Sequence, residues 1–593
     1  MRPIAAIITL LLLFPSAVLA ETKEIVSEGT YNMGDGETPS VAESRALLKA
    51  KQIAVEQAGT YVESYSKVKN LTLTQDEIQV LASGLMEVEI LDKKRTVVGD
   101  GINFWVKIKA KVNPDKMEEM AKRVKEKSVV EDYKRIQETY ANSQKEIVQL
   151  KKELVQAKEE KEKKKVEAKI SKEEILFQAD EWYSKGYEHS LNNKLDEAIL
   201  AFTVAIKLNP RDYVAYHDRG ETYLRKHLYD MAIADFSRSL TEATSAHEIS
   251  LELGNQWPGP FFKKIFSYNY NNRGAAYYKK GQADLAKEDF DKAIAIDPDD
   301  TAAYFNRGKI YLNEKAYDKA IANYSKAIDL GRKDVEMYKG RAAAYAAAGQ
   351  YGKAIEDLSL VMSISPDYLT LSTRGALYFT IAQYDKAIDD LNKAINLNPS
   401  SSDYSIYSVR GSSYLNIAQY DRAIDDFNKA IKLNPSKATS YLYRGNAYSD
   451  KALSDAHGDN ANLDKALSDY NRALVINKNL FEGYQKRGIV YSLLDKRDKA
   501  IEDFTKAISL NPDDAITYVA RGKMYENGGQ YDKALEDYNK VIVLNPKLAE
   551  IYAGRGEFYQ KIGENTKALA DFKKACNMGY ENGCKLLQHD IQK

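Results

Sequence analysis

Two ladders of opposite charge run along most of the chain, and their members keep a nearly constant spacing. The arginine and the aspartate of one step recur together in Arg219–Asp235, Arg410–Asp426 and Arg521–Asp537. Such residues can tie two helices together as an ion pair, or the arginine can bind an anionic ligand. The first step lacks both members and has Lys185 and Ala201 instead. Joint presence and joint absence favour a structural pair, and a ligand-binding arginine ladder is the alternative.

The only two cysteines, Cys576 and Cys584, lie eight residues apart near the end of the 593-residue chain. A disulfide between them is expected in an exported chain, because oxidising compartments keep cysteines paired. The bond would hold the last helices against fraying. Two reduced thiols in the core are the alternative.

The remaining residues show no motif for catalysis. The sequence has no phosphate-binding glycine loop, no histidine and cysteine set at metal-ligand spacing and no nucleophile motif, and its six histidines are scattered. The 86 basic and 86 acidic residues balance, which argues against nucleic acid as a partner because phosphate binding needs a surplus of lysine and arginine. We therefore predict no enzyme activity, no cofactor and no metal site.

A short pattern that recurs about every 34 residues must position the charged ladders. Each copy combines a small residue, a tyrosine and an alanine, as in Gly411, Tyr414 and Ala423, and many copies close with a proline such as Pro435. Small residues let two helices approach closely, and proline ends the second helix because it has no amide hydrogen to donate. In this pattern the chain resembles tetratricopeptide-repeat proteins. The resemblance implies a mainly α fold with a solenoid of about eleven helix-turn-helix repeats over residues 176–593.

The resemblance also implies which residues line the concave wall of the solenoid. They come from the first helix of the central repeats and are mostly small or apolar: Phe305, Leu312, Ala343, Ala346, Ala376, Phe379, Ser408, Ser412, Leu415 and Leu442. We name this set the groove face. Its chemistry predicts a protein partner that binds as an extended peptide or as a helix. A wall that is merely less charged than the rest of the surface is the alternative.

Two insertions interrupt the repeats, near residues 241–266 and 450–462. The first contains Trp257, Phe261 and Phe262, which form a candidate contact site if exposed and otherwise fold onto neighbouring helices. The second is rich in aspartate and asparagine but lacks the closing glutamate of a calcium loop, so we expect a solvated loop.

Residues 1–20 have the features of a secretory signal peptide, with a basic Arg2, an apolar segment and a small-residue end at Ala20. We therefore expect an exported protein of the periplasm or cell envelope of a bacterium. Membrane attachment is expected only if this segment stays uncleaved, because the apolar run is short for a bilayer span.

Two regions of different composition lie between the signal segment and the repeats. Residues 21–114 predict a small α+β domain, with Thr74 as the N-cap of its second helix. Its alanine-rich stretch AESRALLKAKQIAVEQAG, followed by EVEIL and WVKIKAKV, resembles the N-terminal domain of bacterial flagellar-assembly and related surface-lipoprotein families. Residues 115–175 are helical and charged, and apolar residues from Tyr133 to Leu154 at heptad spacing predict a coiled coil that joins two copies of the chain as a homodimer. A single solvated helix is the alternative.

These observations together predict an exported scaffold or adaptor that mediates protein–protein interaction. The resemblance of the N-terminal module implies an envelope or motility-related assembly. A carbohydrate- or peptidoglycan-associated binding protein is the alternative from another class. An enzyme with a site hidden in residues 21–114 is the weaker one.

Overall fold

The structure is a computed structural model that describes residues 22–69, 71–99, 101–114, 117–124, 127–252, 260–331, 334–400, 403–454 and 460–591. The chain divides into two compact units, Met1–Ile310 and Tyr311–Lys593. The predicted signal peptide, residues 1–20, lies outside the described residues. Among the helices that the structure describes, none combines the length and the hydropathy needed to cross a bilayer.

An antiparallel sheet opens the first unit. Its strands are β1 (Lys23–Met33), β2 (Met86–Val98) and β3 (Gly101–Val112), in the order β1-β3-β2. Every second residue of β3 from Phe104 to Val112 is buried, so one face of the sheet belongs to the core.

Two helices, α1 (Pro39–Val68) and α2 (Gln75–Leu85), complete this domain. α1 packs on the buried face of the sheet at Gly29, where a Cβ atom would lie 2.1 Å from the carbonyl oxygen of Ala46. Only glycine permits this approach. Thr74 begins α2 as its N-cap and forms a capping box, as its position predicts. The predicted small α+β domain is confirmed.

The charged region predicted as an intermolecular coiled coil folds back on its own chain. It comprises α3 (Met117–Val124), α4 (Lys127–Gln156) and the start of α5 (Glu160–Leu191). Ile147 and Leu154, which lie on the predicted seam, are buried together with Ile170 of α5. The prediction of a seam between two chains is therefore wrong for these residues. The heptad spacing does mark a helix pair, but the partner helix belongs to the same molecule.

Eleven helical hairpins are described from α5 onward, in agreement with the predicted number of repeats. Each pairs an odd-numbered first helix with the next even-numbered helix, from α5–α6 to α25–α26. The helices are α6 (Leu195–Leu208), α7 (Tyr213–Arg225), α8 (Tyr229–Glu252), α9 (Pro260–Lys279), α10 (Ala283–Ile296), α11 (Thr301–Asn313), α12 (Tyr317–Asp329), α13 (Val335–Ala347), α14 (Tyr351–Ile364), α15 (Tyr368–Thr380), α16 (Tyr384–Leu397), α17 (Tyr404–Asn416), α18 (Tyr420–Leu433), α19 (Ala438–Ser454), α20 (Asn460–Ile476), α21 (Phe481–Leu493), α22 (Arg497–Leu510), α23 (Ala515–Asn527), α24 (Tyr531–Leu544), α25 (Ala549–Lys561), α26 (Asn565–Asn577) and α27 (Glu581–Ile591).

Inside a hairpin, the small residue of the first helix lies over a large side chain of the second. A Cβ atom on Gly411 would lie 3.1 Å from the ring of Phe427, and one on Gly488 would lie 2.7 Å from Phe504. Both rings are buried, and so is Ala423, one turn before Phe427. The glycine therefore makes room for an aromatic ring of the second helix. From the sequence alone, the small residues are explained only by the close approach of two helices.

Both insertions lengthen helices. The first extends α8 and α9, and the second extends α19 and α20. Ala452 and Leu463, at the edges of the second insertion, are buried with Tyr441 in one cluster. The prediction of a solvated loop over 450–462 is therefore wrong for its described part, and residues 455–459 lie outside the described residues.

Candidate partner-binding face

The charged ladders form pairs inside the hairpins. Arg410 on α17 donates from Nε to Oδ2 of Asp426 at 2.7 Å and from Nη2 to Oδ1 at 2.6 Å. Such a two-pronged contact between a guanidinium and a carboxylate is both strong and geometrically specific. The same contact occurs in Arg219–Asp235, Arg273–Asp289, Arg341–Asp357, Arg374–Asp390, Arg444–Asp469, Arg487–Asp503, Arg521–Asp537 and Arg555–Asp571.

Each of these arginines also reaches the preceding hairpin. Arg410 donates from Nη1 to Oδ1 of Asn392 on α16 at 2.5 Å, and Arg521 donates to Oγ1 of Thr505 on α22 at 3.1 Å. The acceptor stands two residues after the aspartate position of the preceding repeat. Arg307, whose repeat has asparagine at the aspartate position, contacts Asp291 of the preceding hairpin. One guanidinium therefore joins three helices.

Burial and pairing have opposite effects on these arginines. Burial is the largest single effect on Arg410 and lowers its pKa, but the hydrogen bonds to Asp426 and the charge of that carboxylate together raise the pKa above its ordinary value. The hydrogen bond to Asp390 is the largest effect on Arg374 and raises its pKa as well. The guanidinium groups are charged and bonded within the chain, and this geometry favours a structural role over an anion-binding ladder.

The groove face lies on the first helices of the hairpins from α11 to α19. Leu442 is 1 % exposed and packs with Tyr441 and Leu463, so it is wrongly assigned to the groove face. The longer helices α19 and α20 bring extra apolar residues against it. The other members are exposed or half-buried: Phe305, Leu312, Ala343, Ala346, Ala376, Phe379, Ser408, Ser412 and Leu415.

In the first hairpin, α4 covers the positions that correspond to the groove face. Tyr183 and Tyr187 occupy in α5 the places that Ser408 and Ser412 occupy in α17. The hydroxyl of Tyr187 donates to a backbone carbonyl of α4 at 3.1 Å, and Nη2 of Arg135 on α4 donates to the hydroxyl of Tyr183 at 2.6 Å. Both tyrosines are buried. A helix of the chain itself therefore lies where a partner would bind in a later repeat.

The first insertion lies beside α4. Lys264, on the turn that the insertion adds to α9, forms an ion pair with a glutamate of α4. Phe262 packs on Tyr213, with the ring centroids 5.8 Å apart. This member of the candidate contact site is therefore engaged within the chain, whereas Trp257 and the side chain of Phe261 lie outside the described residues.

A cavity of about 290 Å³ lies between α4, α5 and the turn before α7, and Arg135, Asp180 and Asp212 line it. Burial, with the charge of Asp212 adding to it, raises the pKa of Asp180 to about 7. Burial also raises the pKa of Asp212, although this residue caps α7 by accepting hydrogen bonds from the amides of Val214 and Ala215. Neither carboxylate has the two-pronged arginine contact of the later repeats. Two half-buried acids without a bound arginine therefore lie side by side where the first hairpin meets the second.

The last hairpin ends in a covalent link. Cys576 on α26 and Cys584 on α27 form a disulfide. Leu586 and Leu587 of α27 pack on the aromatic core of the last hairpin, around Phe572. The bond therefore holds a helix that covers an apolar surface at the end of the repeats.

Family models match the chain over several of the hairpins. A model described as TPR repeat matches residues 274–315, 411–451 and 522–563. Three models described as tetratricopeptide repeat match residues 301–334 and 481–514, residues 504–536, and residues 370–401 and 549–578. No curated protein is significantly similar to the chain.

Several solved structures resemble parts of the chain. A tetratricopeptide repeat protein from Parabacteroides merdae ATCC 43184 is 23% identical, with 43% of this chain and 98% of that chain covered and a TM-score of 0.34. The APC/C hetero-tetramer Cut9-Hcn1 is 14% identical, with coverages of 70% and 96% and a TM-score of 0.35. A thermophilic TPR protein from Thermus thermophilus is 23% identical, with coverages of 33% and 98% and a TM-score of 0.27.

The matched segments coincide with described hairpins in which a small residue packs over an aromatic or leucine side chain. Repeated family matches on repeated helix pairs identify the architecture, and the chain is a tetratricopeptide-repeat protein.

Proposed function

We propose that this chain is an exported scaffold that binds a protein partner on its groove face, within an assembly of the bacterial envelope or motility apparatus. Tetratricopeptide repeats generally present surfaces for protein–protein interaction, and their fold is typically not catalytic. The partner and the setting are the new parts of the proposal, and different observations support each of them.

The composition of the groove face on α13, α15 and α17 carries the proposal. Ala343, Ala376, Phe379 and Ser412 present no charge there, although charged residues make up 29% of the chain. Leu369, at the start of α15, is 57% exposed. Accessible apolar and hydroxyl groups on a chain so rich in charge favour a partner that buries them.

The first hairpin supports a helix as the form of that partner. There α4 contacts the corresponding positions through apolar packing and through hydrogen bonds to two tyrosine hydroxyls. A helix thus fits the first helix of a repeat at these positions. An amphipathic helix with a mostly apolar and hydroxyl-bearing face has the chemistry that the central hairpins complement.

The signal segment at residues 1–20 and the disulfide support export. A disulfide is maintained in oxidising compartments, such as the periplasm, and is rare where thiols are kept reduced. The resemblance of residues 21–114 to flagellar-assembly and surface-lipoprotein domains supports an envelope or motility setting.

Site-specific photo-crosslinking in living cells tests the proposal. A photoreactive phenylalanine analogue replaces Phe379 or Ser412 on the groove face, and Lys393, an exposed residue of α16, serves as the matched control. We expect one protein adduct of the same mass from the two groove positions and none from the control. Mass spectrometry then identifies the adduct.

Polysaccharide retention provides the contrary outcome. If peptidoglycan or another envelope glycan retains the purified chain, and the groove positions give no protein adduct, the scaffold proposal is wrong and the carbohydrate-binding alternative is favoured. Adducts of equal yield from Phe379 and Lys393 would also contradict it, because they would show contact without a preferred face.

A further inference from the structure

A histidine and two carboxylates meet on α7, in the second hairpin. One potential ligand atom from each of His217, Asp218 and Glu221 lies within 4.8 Å of the others. Residues three and four apart share one face of a helix, so Glu221 is a neighbour of both His217 and Asp218. No other repeat has a histidine, or more than one carboxylate, at these three positions. The cluster is therefore a departure from the repeat rather than a part of it.

The ring of His217 is held in one orientation. The residue is 6% exposed, and its Nδ1 lies 3.0 Å from Oδ1 of Asn269 on α9. The amide nitrogen of Asn269 donates to the carbonyl oxygen of Ile265 and to the hydroxyl of Ser239, both at 2.9 Å. A carbonyl oxygen can only accept, so this contact fixes the amide with Oδ1 towards the histidine, and Nδ1 must carry the hydrogen.

The second ring nitrogen is therefore available as a ligand. In the neutral ring, Nε2 carries the lone pair, and no residue of the described chain forms a hydrogen bond with it. A buried imidazole with one nitrogen held by an amide oxygen and the other unbonded is the arrangement found in metal-bound histidines.

The two carboxylates of the cluster differ in how firmly they are held: Asp218 is fixed by a hydrogen bond, and Glu221 is free to move. Oδ2 of Asp218 accepts a hydrogen bond from the hydroxyl of Tyr183, which Arg135 in turn contacts. This contact orients Asp218 and leaves Oδ1 for a ligand. Glu221 is exposed, so it gives the cluster an opening to solvent and can move towards a bound ion.

We propose that His217, Asp218 and Glu221 bind a divalent transition-metal ion, with Nε2 of His217 as the nitrogen ligand. One imidazole nitrogen with two carboxylate oxygens suits Zn²⁺ or Mn²⁺, whereas Ca²⁺ takes oxygen ligands alone. The remaining coordination positions are open to water. The sequence does not predict this site, because its three ligands come from one helical turn and match none of the histidine and cysteine spacings that indicate metal binding.

Titration calorimetry on the metal-depleted full chain tests this inference, with Zn²⁺ and Mn²⁺ as the probes and Ca²⁺ for comparison. We expect one Zn²⁺ or Mn²⁺ per chain and no comparable Ca²⁺ uptake. The exposed Glu221→Gln should weaken binding about tenfold or more, and His217→Gln should abolish it. His227→Gln, an exposed histidine in the turn after α7, is the matched control and should bind like the unmodified chain.

Several outcomes would overturn the inference. They are the lack of saturable uptake by the unmodified chain, a Glu221→Gln variant that binds normally, or an equal loss in His227→Gln. Circular dichroism shows whether each variant keeps its helices. If His217→Gln does not, Glu221→Gln decides the matter, because its side chain contributes nothing to the core.

Discussion

The first hairpin (α5–α6) and the seventh (α17–α18) are built alike but stabilised differently. Both place a glycine over a buried phenylalanine, Gly186 over Phe202 and Gly411 over Phe427. The seventh hairpin adds the two-pronged pair of Arg410, which the first lacks. The first hairpin instead has α4 across the positions of the groove face. A repeat can thus exchange an internal ion pair for an external neighbour without any change in its aromatic core.

The largest expected effect on stability comes from weakening the packing of α4 on the first hairpin. Tyr140 on α4 is 6% exposed, packs on Phe177 and donates to the backbone of Asp180. Tyr140→Ala should destabilise the α4–α5 pair by about 4 kcal/mol, because it leaves a cavity among aromatic rings. Hydrogen exchange of the α5 amides should accelerate strongly, while that of α17 and α18 stays unchanged.

Val155→Ala is the control for that experiment. Val155 lies on the same helix but is 84% exposed, so its truncation should leave the exchange of α5 as it is. If the α5 amides exchange at the same rate in Tyr140→Ala and Val155→Ala, α4 does not stabilise the first hairpin. The proposed difference between the first and the seventh hairpin would then be wrong.

The next effect concerns the pair in the seventh hairpin. Asp426→Ala leaves the guanidinium of Arg410 half-buried without its carboxylate and should lower the free energy of unfolding of this region by about 3 kcal/mol. Asp421→Ala on the same helix removes an exposed contact to Lys451 and should lower it by about 0.5 kcal/mol or less. Urea unfolding followed by hydrogen exchange of α17 and α18 measures both. Equal small losses would show that the pair adds no more than a surface contact.

The disulfide gives a third test, at the opposite end of the repeats. Replacing Cys576 and Cys584 by serine should destabilise the docking of α27 by about 2.5 kcal/mol, according to the loop-length relation for a loop of this size. The amides of α27 should then exchange up to about 70-fold faster, and reduction of the native chain should have the same effect. Unchanged exchange in both samples would mean that packing of α27 alone holds it.

The smallest expected effect depends on pH and again separates the two hairpins. The pKa of Asp180 is raised to about 7, so the folded state favours the protonated form. Stability contributed by this group is full below about pH 4 and falls as the pH rises towards 7, because the unfolded chain ionises first. Asp180→Asn cannot ionise and should be about 2 kcal/mol more stable than the native chain at pH 8. The full pKa shift is equivalent to about 4 kcal/mol, and solvent in the cavity beside Asp180 screens part of it.

The Asp180→Asn variant and the native chain should have similar thermal unfolding midpoints at pH 4, since Asp180 is then protonated in the folded state. A stability difference that stays constant between pH 4 and pH 8 would contradict the assigned titration. Asp421→Asn provides a control for the general effect of removing one negative charge from an exposed position.

The repeat spacing and the residue types were enough to predict the number of hairpins and the small α+β domain. The small residue, the alanine and the proline each have a local steric consequence, so the pattern can be read one repeat at a time. The arginine–aspartate pairs were readable for a similar reason. Their joint absence from the first repeat indicated that the two residues of a step are in contact.

Other features depend on contacts that the repeat pattern does not contain. The apolar seam of α4 has the same spacing whether its partner helix comes from one chain or from two, so the spacing alone does not distinguish the two cases. Leu442 has the right position for the groove face, but the lengthened neighbours bury it. A polar residue recurs two residues after each aspartate position, such as Asn392 or Thr505, but its role as the acceptor for the arginine of the next hairpin depends on how the hairpins pack.

The hydrogen bond that each arginine sends to the preceding hairpin has a thermodynamic consequence. In a linear array, the free energy is the sum of terms for single repeats and of coupling terms between nearest neighbours. Since one guanidinium contributes to both kinds of term, its loss weakens a repeat and its link to the previous one together. Neighbouring hairpins within a unit are therefore expected to melt in blocks rather than one at a time.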